Sequence, residues 1–223
     1  NAYMSKLNDS CYSFAVMYNE VFSGQLLDQY TDAVVGYSLR KLRTAYTGNC
    51  ITVRRTSSPA SQDIGFDSDG NLDTTALLAF CGSGDGYVST WYDQVGSNDL
   101  TQTTVANQPQ IVEAGAVITL NGKPALKFDG SNDSLGLTSL SPNPNGHFTL
   151  ATVSSSRSGS TGQAVVSSWS SSASTQNFMQ FYTSTGIGRV AYRFENGQLP
   201  RNDTSTLTTN TQYIVTAFYK RDV

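Results

Sequence analysis

The sequence is poor in side chains that bind metals and in side chains that carry charge. It has one histidine, three cysteines and a charged fraction of 14% over 223 residues. Cys11, Cys50 and Cys81 lack C-x-x-C spacing, so neither a zinc site nor any other metal or cofactor is expected. Three free thiols, or one disulfide with one free thiol, both stay open. His147 follows a turn-forming Pro/Asn/Gly run and is interpreted as a turn or strand-start residue.

Neither sign of charge dominates, and long apolar runs are missing. The 17 acidic and 14 basic side chains give a formal net charge of -3, which argues against a basic nucleic-acid binder. No window offers the roughly 18 uninterrupted apolar residues that a membrane helix needs, and the first residues lack the pattern of a signal peptide. We therefore expect a soluble chain with no nucleic-acid partner and no membrane insertion.

Hydroxyl side chains and aromatics are abundant. Serine occurs 29 times and threonine 25 times, and aromatics make up 11% of the chain, a balance that favours strands and turns over helices. Short apolar segments recur, separated by turns such as Asn121-Gly122 and Asp129-Gly130. The predicted strands are 50–55, 87–92, 110–112, 116–120, 125–128, 148–154, 164–169, 178–182, 188–194 and 212–219. The predicted fold class is all-β with minor α, an antiparallel β-sandwich or jelly roll.

Two helices are predicted beside these strands. Val35, Leu39, Leu42 and Tyr46 recur at helical spacing, which predicts an N-terminal amphipathic helix of about four turns. A second, short helix is predicted after Asp73 as N-cap, ending at Gly82. The oxygen-rich run 67–73 superficially resembles half a calcium loop, but turn and cap chemistry explains it better.

The first 25 residues differ from the rest of the chain. Their apolar residues follow neither a helical nor an alternating period, so we interpret 1–25 as an arm or connector on an extended or irregular path. Residues 26–223 are interpreted as one sandwich domain, whose sheet is expected to be completed beyond Val223 or by another chain. The apolar content of the arm predicts burial against a neighbouring subunit, hence an oligomeric assembly.

Several blocks in order resemble a known domain. They are Tyr37–Arg43, Val53–Arg55, Asp63–Phe66, Thr90–Gly96 and Leu120–Ala125. The combination resembles the catalytic domain of the family 54 α-L-arabinofuranosidases. It also resembles the wider concanavalin A-like or laminin-G-like modules found in bacteriophage structural proteins and secreted bacterial proteins. The resemblance covers roughly residues 26–219, and it implies a β-sandwich without fixing an activity.

The resembling enzymes need chemistry that this chain lacks at the matching positions. Retaining glycoside hydrolysis uses two carboxylates about 5 to 5.5 Å apart. Gln180 stands where the resemblance places the nucleophilic Glu, and an amide cannot form the glycosyl ester. The adjacent cysteine pair of the enzymes has no counterpart around 165–168, and the resemblance places their acid residue beyond Val223. No catalytic residue is therefore assigned.

The glycan-binding candidates are Trp169, Gln180, Tyr182 and Tyr192. Aromatic rings can stack on sugar faces, and a neighbouring amide can bond sugar hydroxyls. The alternative that these aromatics pack between the sheets stays open, because strand residues alternate inward and outward. For Trp91-Tyr92-Asp93-Gln94 a structural role, a strand end followed by an Asp-initiated turn, is favoured.

The sequence predicts a non-catalytic virion structural or adhesion module. By resemblance it would be a bacteriophage tail, fibre or capsid-decoration protein, in a virion or extracellular. Its expected partners are other virion or surface-assembly subunits, bound through the arm, and cell-surface polysaccharide. One alternative is a family 54-like arabinofuranosidase with its nucleophile elsewhere, since carboxylates are available at Asp93, Asp129, Asp133, Glu195 and Asp203. The other is a purely structural subunit without ligand.

Overall fold

A computed structural model describes residues 2–6, 12–16, 24–137, 148–155, 163–168, 178–182, 190–194, 201–202 and 211–219. The strands in these residues are β1 Ala2–Lys6, β2 Tyr12–Val16, β3 Ile51–Arg55, β4 Ser61–Ile64, β5 Gly86–Trp91, β6 Leu100–Thr101, β7 Gln110–Glu113, β8 Ala116–Val117, β9 Thr119–Leu120, β10 Lys123–Pro124, β11 Phe148–Ser154, β12 Gln163–Ser168, β13 Phe178–Tyr182, β14 Val190–Phe194, β15 Arg201–Asn202 and β16 Tyr213–Tyr219. The helices are α1 Leu26–Gln29, α2 Thr74–Cys81 and a 3₁₀ turn, Val105–Asn107.

The strands pair antiparallel throughout the described residues. A six-stranded sheet has the order β4-β3-β5-β7-β8, with β6 also paired to β5, and a four-stranded sheet has the order β12-β13-β14-β15. β11 pairs with β16, β9 with β10, and β1 with β2. The prediction of an antiparallel all-β fold of the sandwich type with few helices is confirmed.

The core lies on one face of the six-stranded sheet. In β3, Ile51 and Val53 are fully buried, while Thr52 and Arg54 between them are half-buried, as the period of two along a strand requires. The core also takes in Ile64, Val88 and residues from β7 and α2. The apolar alternation of the sequence thus selects the face on which the core forms.

Helix α2 confirms the prediction made from its cap residues. The Asp73 carboxylate accepts a hydrogen bond from the Ala76 amide at 2.9 Å, and Gly82 ends the helix at a φ of 62°, where the lack of a Cβ removes strain. Leu77 and Cys81 face the core. The run before Asp73 forms a turn, in which Asp67 accepts hydrogen bonds from the amides of Asp69 and Asn71, so the turn interpretation also holds.

The predicted amphipathic helix over residues 31–46 is wrong. That stretch is irregular, and the only α-helix near it is the single turn α1, which ends at Gln29. Leu42 is buried and Leu39 packs against the core, so the apolar positions were identified correctly. Their backbone groups bond to remote segments: the Lys41 amide donates to the Gly70 carbonyl and the Leu39 carbonyl accepts from the Leu72 amide. These long-range bonds replace the i to i−4 ladder of a helix.

The predicted turn at Asn121-Gly122 joins β9 to β10 as a two-residue hairpin. Both residues have positive φ, 50° and 72°, which fits the turn type that matches strand twist. The predicted strand 125–128 is wrong, because the pairing with β9 falls earlier, at Lys123–Pro124, and residue 127 makes only an isolated bridge to Gln110.

The arm contains regular structure. β1 and β2 pair antiparallel, with Ala2 opposite Val16 and Lys6 opposite Tyr12. These two segments therefore follow the extended alternative of the predicted path rather than the irregular one. Mutual pairing bonds the backbone amides and carbonyls on the facing edges of the two strands. It forms although the sequence lacks an alternating side-chain pattern there.

Two of the three cysteines are buried free thiols. Cys50 and Cys81 are unpaired and lie in the core, and burial raises the pKa of both thiols. Cys11 and His147 lie outside the described residues. Across the part of the chain that the structure describes, no cluster of three metal-binding side chains occurs, and none of its helices has the length and apolarity to cross a bilayer.

Candidate functional site

The loop that follows β5 is organised by a buried carboxylate. Asp93 is 1% exposed, and its Oδ1 accepts hydrogen bonds from the amides of Gly36 and Val95, both at 2.9 Å. Its Oδ2 accepts from the amides of Gly96 at 3.1 Å and Asn98 at 3.3 Å. The Asp-initiated turn predicted after Trp91 is therefore present, and it holds loop 93–99 in one conformation.

Gln94 fastens the neighbouring segment to the same loop. Its Oε1 accepts from the Leu42 amide at 2.7 Å, and its Nε2 donates to the carbonyls of Ser38 and Arg40, both at 3.0 Å. Like Asp93, it is 1% exposed. The Asp-Gln pair is therefore a folding element whose polar atoms are already bonded within the protein.

A polar groove lies beside this loop. Its volume is about 460 Å³, and it is lined by Ser97, Asn98, Asp99, Thr101, Gln102, Ser134, Gly136 and Leu137. The two walls are joined by a pair of backbone hydrogen bonds between Thr101 and Gly136, of 2.7 and 3.0 Å. Gln102 Nε2 also donates to Ser134 Oγ at 2.9 Å. The groove is therefore a fixed feature of the surface, open to solvent.

The lining decides which ligands the groove suits. Six of its eight lining residues are polar, and their hydroxyl, amide and carboxylate groups match the donors and acceptors of sugar hydroxyls. An apolar small molecule usually binds in a mostly apolar pocket. Asp99 is the only carboxylate in the lining, so the groove does not hold the pair of acids that glycoside hydrolysis requires.

An exposed aromatic ring lies on the chain segment that leads into the groove. Phe128 is 44% exposed, and the loop that follows it reaches Ser134, whose amide donates to the Asn107 carbonyl at 3.0 Å. In the same loop Asn132 Nδ2 donates to Asn107 Oδ1 at 2.8 Å. An exposed aromatic ring can stack on a sugar face, although Phe128 is not itself among the groove-lining residues.

The pKa values of two tyrosines near the loop are raised by burial and by the carboxylates of the loop. Burial, followed by the nearby carboxylates of Asp93 and Asp99, raises the pKa of Tyr37 above its ordinary value. Burial and then Asp99 raise the pKa of Tyr46 to about 12. The Tyr37 hydroxyl donates to the Asn98 carbonyl. Both phenols therefore stay protonated near neutral pH, and Tyr37 supports the groove wall from behind.

The glycan candidates from the sequence lie elsewhere in the fold. Gln180 and Tyr182 are on β13, the second strand of the four-stranded sheet, and Tyr192 is on β14 directly opposite Gln180. Antiparallel register places these three positions on one face of the sheet. Trp169 lies outside the described residues. Their role in binding stays a prediction.

The groove residues were missed in the sequence, although a local pattern exists. Ser97, Asn98, Asp99, Thr101 and Gln102 form a nearly continuous polar run, which could have been noticed as a binding-loop composition. The opposite wall, which begins at Ser134, is 32 residues or more further along the chain. Its proximity depends on the bridge to Thr101, which no local pattern predicts.

Comparison with known proteins gives structural neighbours only. No protein-family model matches the chain, and no curated protein sequence matches it. The fold is similar to a GH54 α-L-arabinofuranosidase mutant soaked with 4-nitrophenyl α-L-arabinofuranoside, with a TM-score of 0.60 and 17% identity. It is similar to a GH54 α-L-arabinofuranosidase soaked with a cyclic sulfate inhibitor (TM-score 0.58, 18% identity). It is also similar to an arabinofuranosidase complexed with arabinofuranosyl-α-1,2-xylobiose (TM-score 0.63, 16% identity).

These matches establish a shared fold. They cover 77%, 77% and 87% of this chain, but only 42%, 42% and 48% of the matched chains. The chain thus spans less than half the length of the enzymes that it resembles. The structural part of the sequence-based resemblance is confirmed, while a virion origin and a concanavalin A-like relationship stay untested.

Proposed function

We propose that the chain is a non-catalytic carbohydrate-binding module built on the scaffold of the family 54 arabinofuranosidases. The observation that carries this proposal is the polar groove, whose lining of hydroxyl, amide and carboxylate side chains matches the hydrogen-bonding chemistry of sugar hydroxyls. The face of the four-stranded sheet at positions 180, 182 and 192 is a further candidate surface. The glycosidase nature of the structural neighbours supports carbohydrate as the ligand class.

The absence of catalysis is proposed from the site chemistry. By the sequence resemblance, Gln180 stands where the family 54 enzymes have their nucleophile, and amides do not form glycosyl esters. The groove contains a single carboxylate, Asp99, whereas retaining enzymes need two about 5 to 5.5 Å apart. We therefore propose that the chain keeps the scaffold without the two acids.

Filling the groove should weaken glycan binding. A Cβ added at Gly136 would meet no heavy atom within 4 Å, so Gly136→Leu adds an apolar side chain at a lining position where the Cβ has open space. We expect at least about a tenfold loss of affinity, because displaced hydroxyl contacts each contribute roughly 1 kcal/mol. Glycan-array binding followed by calorimetry on the best probe measures the effect.

Gly65→Leu is the matched control. A Cβ at Gly65 also meets no atom within 4 Å, and Gly65 does not line the groove. This variant should bind like the wild type. If Gly136→Leu binds glycans as well as Gly65→Leu does, the groove is not the binding site.

The enzyme alternative is favoured by the three arabinofuranosidase structures, and it has its own test. We expect no hydrolysis of aryl α-L-arabinofuranosides above background and no covalent adduct with a mechanism-based inhibitor, since Gln180 cannot act as nucleophile. Release of the aryl group and intact-protein mass spectrometry measure the two outcomes. Turnover that disappears on substituting another acid would place the nucleophile elsewhere and support the enzyme.

The arm supports a place in a larger assembly, such as a virion or a cell-surface structure. Within the described residues β1 and β2 pair only with each other, and an isolated two-stranded hairpin is marginal in water. Deleting residues 1–24 should leave a folded domain and abolish association, as measured by sedimentation and by circular dichroism. An intact chain that sediments as a monomer, or a truncated chain that still associates with unchanged stoichiometry, would contradict the anchoring role.

A further inference from the structure

The groove lining carries negative charge and no positive charge. Asp99 is its only ionisable residue, and no lysine or arginine is among the eight lining residues. A ligand that enters the groove therefore meets one negative charge with no cation in the lining beside it. Hydroxyl and ammonium groups can donate to that carboxylate, whereas a second carboxylate is repelled by it.

Asp99 is held in place by the buried loop. Its Oδ1 accepts a hydrogen bond from the Asp93 amide at 2.9 Å, and the Asp93 side chain is itself fixed by four backbone amides. In the part of the chain that the structure describes, no group donates a hydrogen bond to Asp99 Oδ2. One carboxylate oxygen thus orients the side chain, and the other is available to a ligand.

We propose that Asp99 makes the groove selective by charge: it binds neutral or amino sugars and rejects sugars that carry carboxylates. This inference rests on the proposed carbohydrate function and adds the ligand class and the residue that determines it. The Asp99 carboxylate accepts a hydrogen bond from a sugar hydroxyl or a protonated amine. A uronate would bring its own carboxylate to within a few ångströms of the Asp99 carboxylate. The repulsion between these like charges at a protein surface is expected to lower the affinity by at least about tenfold.

The experiment compares three kinds of immobilised polysaccharide. Neutral xylan, partly deacetylated chitin and polygalacturonate are presented to the intact chain at one mildly acidic pH at which the chitin amine is protonated. We expect neutral or amino probes to bind at least about tenfold more tightly than polygalacturonate. Raising the salt to about 0.5 M should narrow this ratio, because screening weakens the repulsion.

Asp99→Asn tests the residue directly. An asparagine Oδ1 can still accept a hydrogen bond from the Asp93 amide, so the loop should keep its conformation. The ratio of the affinity for neutral or amino probes to the affinity for polygalacturonate should fall toward one. Asp69→Asn is the control, since it changes the net charge equally in the turn 67–71, away from the groove lining. An unchanged preference in Asp99→Asn, or tight polygalacturonate binding by the wild type, overturns the charge selectivity alone. Binding of no glycan by the wild type overturns the proposed function as well.

Discussion

Replacing Gln94 by alanine is expected to lower the free energy of unfolding by about 3 to 5 kcal/mol, because three bonded backbone groups lose their partner at once. They are the Leu42 amide and the carbonyls of Ser38 and Arg40. Each buried polar group left without a partner costs roughly 1 to 3 kcal/mol, and the truncated side chain adds a cavity. Segment 38–42 should detach from the loop.

Urea titration monitored by tryptophan fluorescence measures the change. Gln62→Ala is the matched control, since Gln62 is exposed on β4, and it should stay within about 0.5 kcal/mol of the wild type. Hydrogen exchange should also show lost protection at the Leu42 amide in the Gln94 variant. Equal stabilities of the two variants would mean that the Gln94 hydrogen bonds do not hold the segment.

Leu77→Ala is expected to cost about 2 to 5 kcal/mol, as other large-to-small core changes do. Leu77 is fully buried where α2 packs on the six-stranded sheet. Its removal leaves a cavity between helix and strands that the surrounding side chains fill only in part.

Thr75→Ala on the same helix provides the comparison for Leu77. Thr75 is exposed, so its truncation should change stability by no more than about 0.5 kcal/mol. The two midpoints in thermal unfolding separate the loss of core packing from the effect of an added alanine on helix propensity. A Leu77 variant that unfolds at the same temperature as the Thr75 variant would contradict the core position of α2.

Local patterns predicted those elements whose determinants are local. The alternation over 50–55 predicted β3, and the cap residues Asp73 and Gly82 predicted α2. The prediction of a helix over 31–46 was wrong although the apolar residues have helical spacing. The backbone groups of this segment find their hydrogen-bond partners in remote parts of the chain. Leu42 bonds to Gln94, 52 residues away, and such tertiary bonds override a weak helical preference.

Among the candidate site residues, those on predicted strands could also be found from the sequence, whereas those brought together by remote loops could not. The resemblance supplied Gln180 and the aromatic candidates on β13 and β14, all carried by predicted strands. The groove depends on two loops that meet through Thr101 and Gly136, 35 residues apart, and loop proximity leaves no periodic trace in a sequence. The buried role of Asp93 was visible as a turn residue, whereas its link to Gly36 was not.

A groove that is open to solvent favours weak and rapidly reversible binding. A shallow polar site that exposes much of its ligand to water gains little from burial, so a single copy is expected to release sugar quickly, with dissociation constants on the order of millimolar. Because loop 93–99 is already fixed by Asp93, little further affinity can come from ordering it. Copies displayed side by side would raise the effective ligand concentration, and avidity can then exceed the affinity of one site by about 10² to 10⁴. Firm attachment to a polysaccharide surface would then depend on the number and spacing of the copies.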